Sequence, residues 1–335
     1  MTERAAILGA GAWGTALAIH LSKIGAGTVL WARSAATASA LQKARENRDY
    51  LPDHALPESL AITSDLPRAL HDASLVIFVV PAQASRAIFR QAAPHLRHGA
   101  DLVIASKGIE QESLLRLSEV LTIELGRAAS GGDAVILSGP SFAAEVARGD
   151  PTAIVVAAAS DAAARRVQRI LSSGSLRLYR NRDVAGVEIA GALKNVIAVA
   201  TGIVEGLGFG SNTRAALITR GLAEIARLGV ALGGQSATFA GLAGAGDLIL
   251  TCTGGLSRNR AVGVEVGRGR RLQDILSGMR AVAEGVPTTR AAVALGERLG
   301  IDLPIARQVQ QVLFEGRSPR EAMADLLARP LKEEG

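Results

Sequence analysis

Short apolar runs alternate with helical patterns through the first half of the chain. Runs such as Leu75–Val80 are apolar at every position, which is typical of strands buried on both faces. Between them, patterns such as that of Thr15–Lys23 indicate helices, and the alternation predicts a parallel sheet covered by helices on both faces. The predicted strands are Ala5–Leu8, Thr28–Ala32, Leu75–Val80, Leu102–Ala105, Ala134–Leu137 and Ala153–Ala157.

The strand pattern stops near Asp183, and helical patterns rich in small residues follow it to the end of the chain. The predicted helices cover 183–205, 212–231, 257–267, 288–300, 304–315 and 319–328. We therefore expect two domains: a doubly wound α/β domain over residues 1–182 and an all-helical domain over residues 183–335.

A glycine-rich motif follows the first predicted strand directly: Gly9-Ala10-Gly11-Ala12-Trp13-Gly14. In a Rossmann fold such glycines allow a tight turn and a close approach of the backbone to a pyrophosphate, which the helix N-terminus then binds. Gly9, Gly11 and Gly14 are thus predicted cofactor-binding residues, and Ala12 and Trp13 stand between them in the motif. The alternative is an ordinary glycine-rich turn.

Arg33 directly follows the second predicted strand, where an NAD site usually carries an acidic residue for the ribose hydroxyls. Arginine pairs well with a 2′-phosphate, so this position predicts acceptance of NADP(H). The alternative is that Arg33 only borders the adenine.

Lysine is rare in this chain: only five of its 37 basic residues are lysines. Two of them stand at notable places, Lys107 after a predicted strand and Lys194 among small residues of a predicted helix. A partly buried lysine can give up its proton, whereas arginine cannot. The alternatives are a loop cation for Lys107 and a solvated helix face for Lys194.

One acidic residue, Asp247, stands in a run of glycines and alanines, and the sequence Ser257-Arg258-Asn259 follows ten residues later. A carboxylate near a helix start with serine, arginine and asparagine fits a site for a polyol and a phosphate. Ser257 and Asp247 are also ordinary helix-cap residues.

The composition excludes several classes of protein but does not itself indicate a function. The formal charge of +6 is spread evenly, with 19 basic and 16 acidic residues in 1–180 and 18 and 15 in 181–335, so neither half is a basic arm. Aromatic residues make up only 3% of the chain, too few for base stacking on nucleic acid. The single cysteine, Cys252, excludes an internal disulfide, and no metal-ligand spacing is present. We expect a cytoplasmic protein without a signal peptide or membrane span.

Taken together, several motifs in order resemble the bacterial NAD(P)-dependent glycerol-3-phosphate dehydrogenases along nearly the whole chain. The matching segments are Gly9–Gly14, Val80–Gln83, Ser106–Gly108, Ser138–Ala143, Gly191–Val196, Asn212–Ala215, Gly244–Leu248, Ser257–Asn259 and Glu284–Gly285. The resemblance implies a Rossmann domain followed by a helical domain like that of 6-phosphogluconate dehydrogenase. Ala12 departs from the family pattern, in which a small hydroxylated residue is common.

The resemblance also implies an activity: reversible reduction of dihydroxyacetone phosphate to sn-glycerol 3-phosphate with NADP(H) or NAD(H), supplying glycerophospholipid synthesis. By position, Lys194 is the implied catalytic acid and base. The implied substrate-binding residues are Lys107, Gly139, Ser141, Asp247, Ser257, Arg258 and Asn259. Besides the glycine-rich motif, the implied cofactor contacts are Arg33, Lys107, Ala143, Arg258, Val282 and Glu284. The apolar helical domain is compatible with a homodimer.

Two other functions are alternatives to the activity that the resemblance implies. A keto-acid reductase of the same superfamily would share the glycine-rich loop and the helix lysine, but has less use for Arg258 and Asn259. A nucleic-acid-binding or dinucleotide-sensing protein would use the basic cluster Arg268–Arg271, which is more typical of a solvated helix end.

Overall fold

The computed structural model describes residues 3–126, 134–331 and 333. The described residues of the N-terminal half form ten strands: β1 (Arg4–Leu8), β2 (Gly27–Trp31), β3 (Glu46–Asn47), β4 (Leu51–Ala55), β5 (Ala61–Thr63), β6 (Leu75–Phe78), β7 (Asp101–Ile104), β8 (Val135–Ser138), β9 (Thr152–Ala157) and β10 (Leu176–Asn181). The helices of this half are α1 (Ala12–Lys23), α2 (Ala35–Ala44), α3 (Leu66–Leu70), α4 (Ser85–Ala92), α5 (Leu117–Leu125), α6 (Ala143–Arg148) and α7 (Asp161–Leu171).

The remainder of the described chain is helical. Its helices are α8 (Val184–Gly206), α9 (Ser211–Ala231), α10 (Ser236–Ala240), α11 (Asp247–Thr253), α12 (Arg258–Gly267), α13 (Leu272–Ser277), α14 (Gly285–Leu299), α15 (Pro304–Phe314) and α16 (Pro319–Leu327). A single π-helical turn, Leu242–Gly246, precedes α11.

Eight strands form one sheet in the order β10-β9-β8-β7-β6-β1-β2-β5, with helices on both faces. The pairs from β5 to β8 are parallel, but β9 runs antiparallel to β8, so the prediction of a purely parallel sheet is wrong at this edge. Helix α6 has only six residues, about 9 Å of rise, which is too short to return the chain to the opposite end of the sheet. Strand β9 therefore starts at the edge where β8 ends.

The predicted strands and long helices are found within a few residues of their expected bounds, whereas β3, β4, β5 and β10 were not predicted. Strand β10 reads LRLYRN, with Leu176 and Leu178 buried and Arg177 and Tyr179 exposed. Such a half-polar edge strand gives a weak apolar signal because only one of its faces is buried.

Helix α8 forms the centre of the helical half. It packs against α9, α11, α12 and α14, and most of its residues are buried. Among the residues that the structure describes, it is the one helix long and apolar enough to cross a membrane, and 94% of its most apolar window is buried inside the protein. Its length and hydropathy therefore fit a core helix.

Asp183 fixes the start of α8. Its Oδ1 accepts a hydrogen bond from Gly186 N at 2.8 Å, and its Oδ2 accepts from Gln235 N at 2.7 Å and from Thr238 Oγ1 at 2.6 Å. One buried carboxylate thus caps α8 and holds the α9–α10 turn against it.

Candidate active site

Two lysines and one aspartate meet between the sheet and the helical half. Asp247 Oδ1 lies 2.5 Å from Lys194 Nζ, and Asp247 Oδ2 lies 2.6 Å from Lys107 Nζ. Lys107 follows β7, Lys194 stands in the middle of α8, and Asp247 begins α11. Three separate elements therefore build one ion triad, Lys107–Asp247–Lys194.

The π-helical turn sets the position of Asp247. Gly246 N donates to Gly241 O at 3.1 Å, a hydrogen bond across five residues that widens the turn just before α11. One turn later, Thr251 Oγ1 lies 2.7 Å from Lys194 Nζ and 2.7 Å from Asp247 O. Thr251 was missed by the sequence analysis, although its spacing of four residues from Asp247 places both on one face of a helix.

Burial dominates the electrostatics of the triad. Desolvation, together with the nearby positive charge of Lys107, lowers the pKa of Lys194 to about 8, against the opposing effect of Asp247. Burial alone would raise the pKa of Asp247, but the ammonium groups of Lys107 and Lys194 hold it below its ordinary value. Asp247 thus stays ionised, while Lys194 can exchange a proton near neutral pH.

Gly139 and Ser141 extend the triad along the loop after β8. Gly139 O accepts hydrogen bonds from Lys107 Nζ at 3.2 Å and from Ser141 Oγ at 3.0 Å. These contacts bring together four predicted substrate residues (Lys107, Gly139, Ser141 and Asp247) and the predicted catalytic residue.

The side chain of Asn259 connects α12 to two other helices. Its Nδ2 donates to Asn195 Oδ1 at 2.9 Å, and its Oδ1 accepts from Gly285 N at 2.8 Å. Asn195 is adjacent to Lys194 in α8, so this amide bridge fixes the start of α12 beside the triad. The sequence motifs included Asn195, but it was not predicted as a site residue.

Ser257 and Arg258 stand at the N-terminus of α12. Ser257 Oγ accepts from Arg260 N at 3.2 Å, so its hydroxyl serves as the helix cap. The Arg258 side chain is exposed and its guanidinium makes no hydrogen bond or ion pair with any of the described residues. Its charge is therefore available to an anion.

Glu284 faces the N-terminal half from the loop before α14. Its Oε1 accepts from Ala82 N at 3.1 Å, whereas its buried Oε2 has no partner among the described residues. Burial raises the pKa of Glu284 to about 7, although Ala82 N and Arg258 favour the ionised form. Ala82 was not predicted as a site residue, and Val282 nearby is 45% exposed.

The glycine-rich loop has the shape that a dinucleotide requires. A Cβ on Gly14 would lie 1.9 Å from Gly9 O, so α1 packs directly on the loop backbone. A Cβ on Gly11 would meet nothing within 4 Å, and no side chain caps the N-terminus of α1. Open space in front of unpaired helix amides fits a bound pyrophosphate.

Four further predicted cofactor residues lie at the ends of three elements. Ala12 and Trp13 begin α1, Arg33 is exposed just after β2, and Ala143 begins α6. In the described part of the chain, the side chain of Arg33 makes no hydrogen bond to the triad or to the Asn259 bridge. Residues 3–126, 134–331 and 333 contain no group of three or more histidine, cysteine, aspartate or glutamate side chains that could hold a metal ion.

Two family models cover most of the chain. The model for the N-terminus of NAD-dependent glycerol-3-phosphate dehydrogenase matches residues 4–164, and the model for its C-terminus matches residues 183–324. The chain belongs to the NAD-dependent glycerol-3-phosphate dehydrogenase family. The resemblance inferred from the sequence motifs is thereby confirmed, and so is the fold class of a Rossmann-like domain with a helical domain.

Relatives in this glycerol-3-phosphate dehydrogenase family match over their full length. The protein named glycerol-3-phosphate dehydrogenase [NAD(P)+] from Geobacter sp. (strain M21) is 51% identical, covering 100% of both chains. Its counterpart in Syntrophotalea carbinolica is 53% identical, covering 98% of each. The crystal structure of glycerol-3-phosphate dehydrogenase from Coxiella burnetii is 37% identical, covers 98% of this chain and 99% of its own, and has a TM-score of 0.94.

A more distant likeness concerns the fold alone. The ketopantoate reductase from Ralstonia eutropha has a TM-score of 0.61 at 17% identity, covering 96% of this chain and 100% of its own. The overall architecture is thus shared with this ketopantoate reductase.

Proposed function

We propose that the protein reduces dihydroxyacetone phosphate to sn-glycerol 3-phosphate, reversibly, with NADPH or NADH as the hydride donor. The observation that carries this proposal is the buried triad Lys107–Asp247–Lys194, set beside an exposed arginine with no protein partner. The names of the full-length relatives support the same substrate and cofactors.

Two groups of residues would bind the two ends of dihydroxyacetone phosphate. The guanidinium of Arg258 and the amide of Asn259 would hold the phosphate, because an arginine without a protein partner binds phosphate in a charge-assisted, bidentate way. Lys107, Ser141 and the Gly139 loop would hold the polar oxygens near Lys194. Ser257 would contribute by fixing the start of α12.

Lys194 carries the proton step. In the reduction direction its ammonium donates a proton from Nζ to the ketone oxygen, and in the oxidation direction its neutral amine takes the hydroxyl proton. Asp247 and Thr251 hold Nζ in place, and Lys107 lowers its pKa. The roles differ although both lysines contact the same carboxylate, because Lys194 is the more deeply buried of the two.

The dinucleotide supplies the hydride when it is bound. Gly9, Gly11 and Gly14 would accommodate its pyrophosphate at the N-terminus of α1. The remaining residues proposed to contact it are Ala12, Trp13, Arg33, Lys107, Ala143, Arg258, Val282 and Glu284. Glu284 Oε2 is suited to this use because it is buried and has no partner within the described chain.

Cofactor choice depends on Arg33 in this proposal. Its exposed guanidinium follows β2, where an acidic residue would oppose a 2′-phosphate by charge. We therefore propose that NADPH is accepted at least as well as NADH.

The remaining proposals concern the metabolic role, the location, the domain boundary and the oligomeric state of the enzyme. We propose that the enzyme supplies glycerophospholipid synthesis in the cytoplasm, that its domains divide between residues 182 and 183, and that the helical domain mediates a homodimer. Sedimentation equilibrium of the purified protein tests the last point, and a monomer at micromolar concentration would contradict it.

The proposed activity is tested by initial rates of NADPH and NADH oxidation with dihydroxyacetone phosphate, with unphosphorylated dihydroxyacetone as the matched control. Turnover of the phosphate ester alone, with NADPH at least matching NADH, is expected. Equal turnover of both ketones would contradict the phosphate-binding role of Arg258 and Asn259, and faster turnover of a keto acid would favour the rival reductase.

A further inference from the structure

A cavity of about 640 Å³ lies outside the site described above, between the edge strand β10 and the segment formed by α10 and the π-helical turn. Its strand side includes Tyr179 and Arg182, and its helical side includes Gln235, Ala237 and Leu242. None of these residues takes part in the ion triad or the Asn259 bridge. The volume falls within the range of small-molecule pockets, about 300–1,000 Å³.

The charge of the cavity is positive and only partly compensated. Arg180, also in its wall, pairs with Asp161 at 2.5 Å. The exposed guanidinium of Arg182 has no hydrogen bond or ion pair to any residue in the described ranges. A second cation therefore remains available in the cavity.

The rest of the wall is largely apolar. Ala237 and Leu242 face the cavity from the helical side, and the Tyr179 ring, 46% exposed, faces it from the strand. A free cation beside apolar surface is complementary to an anion that carries an apolar tail, because each part of such a ligand finds a matching environment.

The helical wall of the cavity is connected to the elements that carry Asp247 and Lys194. The π-helical turn Leu242–Gly246 leads directly into Asp247. Asp183, which caps the helix of Lys194, accepts hydrogen bonds from Gln235 N and Thr238 Oγ1 in this wall. A displacement of the wall would therefore move the elements that position Asp247 and Lys194.

We infer that this cavity is a second ligand site, which binds a small organic anion with an apolar tail through Arg182 and lowers turnover when occupied. The binding depends only on the cavity. Its effect on turnover rests on the proposed function, so the two parts are measured separately.

Binding is measured by calorimetric titration with hexyl phosphate in the presence of saturating sn-glycerol 3-phosphate, which fills the catalytic site. Inorganic phosphate and hexanol provide the head and the tail alone, and each should bind at least about tenfold more weakly. Arg182→Ala should weaken hexyl phosphate binding at least about tenfold, because a charge-assisted contact is lost. Arg169→Ala removes an exposed arginine outside the cavity and should leave the affinity unchanged.

Turnover is measured in the same variants. Hexyl phosphate should lower kcat at least about fivefold in the wild-type protein and in Arg169→Ala, but not in Arg182→Ala. Competition in the catalytic site would instead raise the KM for dihydroxyacetone phosphate equally in all three proteins. Binding that survives Arg182→Ala would overturn the site, and binding with unchanged kcat would overturn its effect on turnover. An inactive protein that still binds hexyl phosphate through Arg182 would contradict the proposed function and not the site.

Discussion

At the scale of single residues, the proposed mechanism depends on how the protein changes the proton affinity of Lys194. Lys194 is 7% exposed, and its ammonium contacts a carboxylate that a second lysine shares. Burial and Lys107 lower its pKa, while Asp247 limits the fall and keeps the proton available. Asp247 therefore serves both to position Nζ and to adjust its pKa.

Replacement of this lysine tests its role. Lys194→Ala should lower kcat by about 10²–10⁴, because the general acid is lost. NADPH affinity should stay within about twofold of the wild-type value, since the hydrogen bonds of Lys194 within the described residues go to Asp247 and Thr251 and not to the glycine-rich loop. Single-turnover and fluorescence titration experiments separate the two quantities, and unchanged turnover would remove Lys194 from the mechanism.

At the scale of elements, the sequence predicted the buried strands and long helices but not how they pair or bend. Strand β6 is buried at every position, so its sequence is a continuous apolar run that predicts a strand. Strand β10 has exposed arginines, so its sequence lacks such a run. The reversal of β9 depends on the short length of α6, which a residue pattern defines poorly. Similarly, Asp247 was expected in a glycine-rich loop, while the π-helical turn that orients it has no distinctive pattern.

The glycine-rich loop gives a prediction with an internal control. In Gly11→Ala the new methyl group would enter open space at the N-terminus of α1, so the fold should be kept while NADPH affinity falls at least about tenfold. Gly174→Ala also places its methyl in open space, but away from the loop, and should change neither property. If Gly11→Ala bound NADPH normally, the pyrophosphate would not lie at this helix.

The cap of α8 gives a prediction about stability. Asp183→Ala should lower the free energy of unfolding by about 3 kcal/mol, because three donors lose their acceptor in a buried place. Asp65→Ala removes the exposed cap of α3, where only one donor, Arg68 N, loses its acceptor, and should cost about 1 kcal/mol. Urea denaturation measures both, and equal losses would contradict the linking role assigned to Asp183.

At the scale of the whole molecule, the site combines residues that are far apart in sequence. Lys107 and Asp247 are 140 positions apart, and Glu284 reaches back to Ala82 across 202 positions. The motifs named several of the residues that meet in the triad, but they gave no distances. The Asn259–Asn195 contact and the Thr251–Lys194 contact therefore appear only once the chain is folded.

Because residues of both halves are proposed to contact the cofactor, binding should stabilise the protein as a unit. NADPH at a hundred times its dissociation constant should add about 2.7 kcal/mol to the free energy of unfolding. The melting temperature of the wild-type protein should rise accordingly, and that of Gly11→Ala should rise less at the same concentration. An unchanged wild-type melting temperature would indicate that the fold does not bind NADPH.

The most direct test of the mechanism is the pH dependence of kcat/KM for dihydroxyacetone phosphate in the reduction direction. This quantity reports groups of the free enzyme, and the proposed reduction requires Lys194 in its protonated form. It should therefore fall as the pH rises through about 8, the pKa to which burial and Lys107 lower Lys194. Lys107→Met should move this fall to higher pH, because the neighbouring positive charge is removed. A profile that stays level to pH 10, or one unaffected by Lys107→Met, would contradict the account.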